Sequence, residues 1–188
     1  MKIQNLVMSL VAVGMIAVAA TAAYADPKGQ AIAHVYLEIN PNIAVQAIDS
    51  NVNLGTLQTG DVSLPIRFRI DANTEAVKIS GWVTDLYKGD DPFNKDVAPI
   101  VVNLSNGFPI KPTNAHEIAG GNGIASYTGQ TDYLGFNTHT TEELTFESSQ
   151  NGHFSQDVLV SPSWKNTDPE KPQGEYSGWV ILYAGIVE

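Results

Sequence analysis

Apolar side chains recur at every second position in several short runs of this chain, and beyond its first 25 residues no long stretch carries the i, i+3, i+4, i+7 spacing of a helix. Ala31, Ala33, Val35, Leu37 and Ile39 are interleaved with Ile32, His34, Tyr36 and Glu38. Leu64, Ile66, Phe68 and Ile70 alternate with Arg67, Arg69 and Asp71, and Val77, Ile79, Gly81 and Val83 with Lys78, Ser80 and Thr84. Shorter sets follow at Ile100, Val102 and Leu104, at Leu144 and Phe146, and at Val158 and Val160. Strand side chains point alternately to opposite faces, so each set gives a sheet one apolar side.

Turn formers separate these runs: Asn73-Thr74, Gly89-Asp90-Asp91-Pro92, Asn106-Gly107, Asn151-Gly152, and the stretch 168–174. Asn-Gly tolerates positive φ and signals hairpins. Short strands at this spacing without helical crossovers predict an all-β, antiparallel sandwich of immunoglobulin-like type. Residues 120–135, rich in Gly, Asn, Thr and Tyr, read as a long surface loop.

Residues 1–25 have the form of a cleavable secretory signal. Lys2 is followed by an uncharged Leu, Val, Met, Ile and Ala run, which exits through Ala23-Tyr24-Ala25. The run is too short and alanine-rich for a bilayer span. The remaining length suits one domain. Formal net charge is −10, with Arg67 and Arg69 as the only arginines. Nucleic-acid affinity rests on neutralising phosphates, so no nucleic-acid partner is expected, nor an anionic membrane. With no cysteine, stability must come from packing and hydrogen bonds, and thiol chemistry is excluded.

Two strands depart from simple alternation. The last, 179–188, is apolar on both faces and reads as a central strand with Trp179 in the core. No later strand follows in the sequence to pair beside it. The first, 31–39, stands behind a flexible Asp26-Pro27-Lys28-Gly29 lead and before Asn40-Pro41-Asn42, where proline ends ladder pairing. An open edge is a template for another chain, and an extended segment can satisfy it by strand addition. If 31–39 of one copy fills the edge along 179–187 of the next, the contact is head-to-tail and generates filaments. Val35, Leu37 and Ile39 would then each contribute roughly 1.5–3 kcal/mol on burial, and Ala31 and Ala33 less. The acceptor edge would be Val180, Leu182, Ala184 and Ile186.

The sequence here resembles the chaperone–usher pathway pilins, and within them the alpha class that includes the colonisation factor antigen I and common pilus subunits. The alternation running into Ile39-Asn40-Pro41-Asn42-Ile43 is similar to that class's donor strand and bend. Ser155-Gln156-Asp157-Val158-Leu159-Val160-Ser161 resembles a strand near the family's C-terminal end. Pro172-Gln173-Gly174-Glu175-Tyr176-Ser177-Gly178-Trp179-Val180 resembles its P-x-G-x-Y-S-G-x-V approach to the last strand. The lack of cysteine suits this class better than type 1 pilins, while about 85–142 has no residue-by-residue match.

The resemblance implies an incomplete immunoglobulin-like domain (41–188) lacking its final strand, with 26–40 as donor. It implies a periplasmic chaperone, an outer-membrane usher and identical subunits as partners, with a tip adhesin and a host or abiotic surface further out. The product would be a fimbria at the cell surface for adhesion or biofilm formation, and a chain of this length suits the shaft. The alternative is a secreted monomeric sandwich that binds carbohydrate or protein, with 31–39 folded back on its own sheet.

Other chemistry is thinly supported. His34, His116, His139 and His153 are well separated; His139, His153 and Glu142 or Glu143 lack zinc spacing. His116-Glu117 lacks a metalloprotease's second histidine. Asp85, Asp90, Asp91 and Asp96 do not match a calcium loop and read as a solvated turn. Glu142-Glu143 are neighbours on a strand and face opposite ways, which is poor geometry for a glycosidase pair. Ser177 lacks a nucleophile elbow. Neither a catalytic set nor a cofactor site is expected. Trp164, in a polar stretch, reads as the best exposed aromatic for a surface ligand.

Overall fold

The computed structural model describes residues 33–118 and 122–187. Residues 1–25, which the sequence analysis reads as a leader, lie outside the described residues, as do Ala31 and Gly120. The chain divides into two units, Met1–Glu38 and Ile39–Glu188.

Of the first unit, residues 33–38 belong to no strand, and every one is exposed. The rings of His34 and Tyr36 meet edge to face with centroids 4.1 Å apart. Side chains two positions apart share a side in strand-like backbone. Alternation at 31–39 predicts a strand, yet 33–39 has no ladder in this chain: the side-chain pattern is present, and a strand also needs a partner edge.

In the second unit β1 (Ile43–Ala47), β2 (Gly60–Ser63), β3 (Ile66–Ala72) and β4 (Ala76–Thr84) come first. Next are β5 (Tyr87–Lys88), β6 (Val101–Val102), β7 (Phe108–Pro112), β8 (Ala115–Glu117) and β9 (Ile124–Ala125). A hairpin of β10 (Tyr127–Tyr133) and β11 (Phe136–Thr141) precedes β12 (Leu144–Ser148) and β13 (Phe154–Val160). Then follow β14 (Ser163–Asn166), β15 (Tyr176–Ser177) and β16 (Val180–Ile186).

The strands form two principal sheets, with antiparallel pairing throughout. One runs β1-β3-β13-β7-β9, and the other β10-β11-β4-β12-β8 with β16 also on β4. β11 and β12 share one edge of β4, at 82–84 and 76–79, and β16 takes the other along 77–83. Two smaller sheets are β2-β14-β6 and β15-β5. The fold is all-β and sandwich-like. Ile66, Phe68 and Ile70 of β3 join Val77, Ile79 and Val83 of β4, Phe146, Val158 and Leu182 in one buried cluster. The intervening Arg67, Arg69 and Asp71 stay outside, where Arg69 pairs with Asp71 at 2.9 Å and Asp157 at 3.5 Å. At Gly81 a side chain would collide with the ring of fully buried Phe108, so glycine here is the gap that the ring fills.

Several sequence expectations are corrected. The 120–135 stretch is not a loop: β9 and β10 lie within it, and β10 pairs with β11 from Tyr127↔Thr141 to Tyr133↔Phe136. Its residues are exposed apart from its two half-buried terminal tyrosines, so main-chain pairing holds it and no apolar alternation marks it. Asn151-Gly152 and Asn106-Gly107 are turns, with Gly152 at φ 77° and Gly107 at φ 63°. Neither closes a hairpin, because each joins strands of different sheets. Leu104 lies in a 3₁₀ turn and is 49% exposed.

Candidate functional site

The structure leaves two unpaired strand edges next to each other. β1 pairs only with β3, and β16 only with β4, among the described residues. Cα atoms of β1 and β16 nevertheless approach within 8 Å across the two sheets. A seam of the sandwich therefore runs between them with no ladder bridging it.

Register shows which side chains line this seam. Residues directly opposite one another in a ladder point to the same side. Ile43, Val45 and Ala47 stand opposite Ala72, Ile70 and Phe68, all buried, and so face the interior. Val180, Ala184 and Ile186 stand opposite Val83, Ile79 and Val77, each fully buried. Yet Val45 is 39% exposed, and Val180, Ala184 and Ile186 are only half-buried. Leu182, in the middle, is the one core-facing residue of β16 that the domain covers. The others are turned towards the core and yet remain in contact with water.

The final strand is thus not central, as its double apolarity predicts; it is an edge strand. Its other row faces outward. Trp179 is 46% exposed rather than core, Tyr183 is 42% exposed, and Ile181 is half-buried. Trp82 of β4 meets Tyr183 with ring centroids 4.7 Å apart. The apolar second face reflects this aromatic row and not a second covering layer.

The segment with the matching pattern is the arm. Val35, Leu37 and Ile39 are 86%, 88% and 76% exposed, an unusual state for three alternating large aliphatics. Its root is pinned. The Asn42 N–H donates to Asn73 Oδ1 at 2.6 Å, Asn73 Nδ2 donates to the Asn40 carbonyl at 3.0 Å, and the Asn73 N–H donates to the Asn42 carbonyl at 3.2 Å. Asn73, in the turn between β3 and β4, thereby clamps both sides of Pro41. The sequence marked it only as a turn former.

The other candidate residues scatter. Trp164 is corrected from exposed to buried: β14 pairs on both sides, Trp164 is 2% exposed, and its Nε1–H donates to the Thr84 carbonyl at 2.8 Å. It offers no surface to a ligand. Asp85 is likewise not in a solvated turn. It is 3% exposed, and it accepts from the Val102 N–H at 2.8 Å and from Asn137 Nδ2 at 2.7 Å, with His139 Nε2 at 3.2 Å. His139 is committed to this buried network, whereas His153 is exposed on the turn before β13. Beside His139, burial pushes the Tyr127 hydroxyl well above its usual range. Glu142 caps the Ser126 N–H at 2.7 Å, and that bond holds its carboxyl below the ordinary value. Among the described residues no group of three His, Cys, Asp or Glu is placed to hold a metal ion.

The chain matches no family model and no curated protein.

Proposed function

We propose that this chain is a structural subunit of a fimbria, a shaft-type pilin that polymerises by donor-strand exchange. One copy lays residues 31–39 along the open edge of β16 in the next, with Val35, Leu37 and Ile39 covering the seam beside Val180, Leu182, Ala184 and Ile186. The observation that carries this reading is the seam itself: core-facing side chains of two unpaired edge strands lie open to water, and an arm of alternating aliphatics is likewise uncovered. The strand order supports it too. An immunoglobulin constant-type sandwich has sheets A-B-E-D and C-F-G. Here β1-β3-β13-β7 follows the first order and β4-β16 the C-F pair, and among the described residues no strand pairs with β16 at the G position.

A strand inserted there gains ladder hydrogen bonds and roughly 5–10 kcal/mol of apolar burial before ordering costs. Opening the joint re-exposes the partner's core, so the joint is slow to dissociate. Export through the periplasm follows from the leader, and removal of residues 1–25 frees the arm. The resemblance to chaperone–usher pilins adds the partners: a periplasmic chaperone that lends a strand, and an outer-membrane usher that exchanges the chaperone for the next subunit's arm.

The test compares the chain beginning at Asp26 with a variant whose residues 26–39 are moved to the C-terminus behind a short flexible linker. The first is expected to polymerise or to need a chaperone, and the second to be a stable monomer by analytical ultracentrifugation. A stable, non-polymerising monomer from the unmodified chain overturns the reading in favour of a monomeric binding module.

A further inference from the structure

We propose that the joint has a second half on the outside of the sandwich, where Tyr36 of an incoming arm stacks into the aromatic row of β16. This inference rests on the strand-insertion reading and adds a contact to it. Insertion with Val35, Leu37 and Ile39 inward turns His34, Tyr36 and Glu38 outward, since successive strand side chains alternate. Outward on the neighbouring β16 lie Trp179, Ile181 and Tyr183, with Trp82 of β4 against Tyr183. Residues on one face of adjacent strands stand about 4.5–5.5 Å apart when opposite and are within reach of aromatic side chains when diagonal.

The two outer faces of the sandwich differ in a way that solubility alone does not explain. On the β1-β3-β13-β7 sheet the outer row carries Arg67, Arg69, Asp71 and Asp157, paired with one another or with Asp49. On β16 the outer row is aromatic and apolar and ends at Gly185, where an added side chain would meet nothing within 4 Å. Tyr36 is itself 83% exposed, and in this chain its described aromatic neighbour is His34. The outer row is continuous with the seam, being the opposite side of the same strand. The occupant is therefore the arm of a second copy, and the aromatic cluster is complete only in the polymer.

The experiment uses the chain beginning at Asp26 with Tyr36→Ala, Tyr36→Phe, Tyr183→Ala and the Tyr36→Ala/Tyr183→Ala pair, alongside Leu37→Asp. Polymers of Tyr36→Ala are expected to form but to dissociate in denaturant about two- to tenfold faster, the size of an aromatic pair. Tyr36→Phe should dissociate at nearly the wild-type rate, and the double variant no faster than the more affected single variant. Tyr36 is on the arm, so its replacement leaves the domain's own packing intact.

If Leu37→Asp abolishes polymers while Tyr36→Ala polymers dissociate at the wild-type rate, the outer contact is wrong and strand insertion stands. Additive effects of the two alanine substitutions contradict the contact in the same way. If Leu37→Asp polymerises normally, or the unmodified chain is a stable, non-polymerising monomer without a chaperone, strand insertion fails and takes this proposal with it.

Discussion

Val45 and Ile70 face each other across a ladder and point to the same interior, but Ile70 is fully buried and Val45 is 39% exposed. The same contrast separates Ala184 and Ile186 from Ile79 and Val77. At this scale one member of each pair is covered and the other remains open to water. Trp164 shows how far a single residue can be read from its neighbours: Pro162, Lys165 and Asp168 suggest solvent, while pairing of β14 on both sides buries the indole. A residue's burial depends on its strand's place in the sheet order, which local composition does not encode. Asp71 carries a prediction of its own. The Arg69 guanidinium beside it holds its carboxyl below the ordinary aspartate value. A depressed carboxylate stabilises the fold above its unfolded pKa, and that contribution is lost as pH falls through the folded value. In urea unfolding, wild type should therefore exceed Asp71→Asn at neutral pH, with the gap closing as pH falls through and below the ordinary aspartate range. A gap independent of pH contradicts the assignment.

At the scale of elements, alternation located β3, β4, β12 and β13 because each has one side in a shared core. It failed at β10, whose middle residues are exposed on both sides and whose ladder with β11 supplies the stabilisation. It misled at β16, where two apolar faces suggested burial within a sheet. One face lines the seam and the other carries the aromatic row, so the strand sits at an edge. Val180, Leu182, Ala184 and Ile186 were legible as one alternating face, which β16 turns towards the core, but β1 as the far wall of the seam and Asn73 as the clamp were not. Both depend on contacts made far along the chain. For the arm, Leu37→Asp should abolish polymer formation by sedimentation. It removes roughly 1.5–3 kcal/mol of apolar burial and would place a carboxylate in an apolar seam. Polymers of Leu37→Asp at wild-type yield contradict the arm's role.

Across the whole molecule, the arm and the seam are complementary deficits: one is a set of apolar side chains without a sheet, the other a sheet edge without its strand. Each is a liability in water, since open edges and exposed aliphatics promote unspecific association. Under the strand-insertion proposal they would make a directional joint between copies, and because donor and acceptor surfaces differ, repetition would give a filament and not a closed pair. The acidic balance, with 20 acidic against 10 basic residues, favours solubility before assembly. Stability of the single copy should accordingly be lower than that of a copy with its seam filled, by mass action on the bound strand. The most direct test is amide hydrogen exchange along β16, Val180–Ile186, in a copy deleted of residues 26–39, before and after addition of a peptide with the sequence of 31–39. The account predicts that β16 amides facing the open edge exchange fast alone and become strongly protected with the peptide. Equal exchange in both conditions, with the peptide in excess, would contradict it.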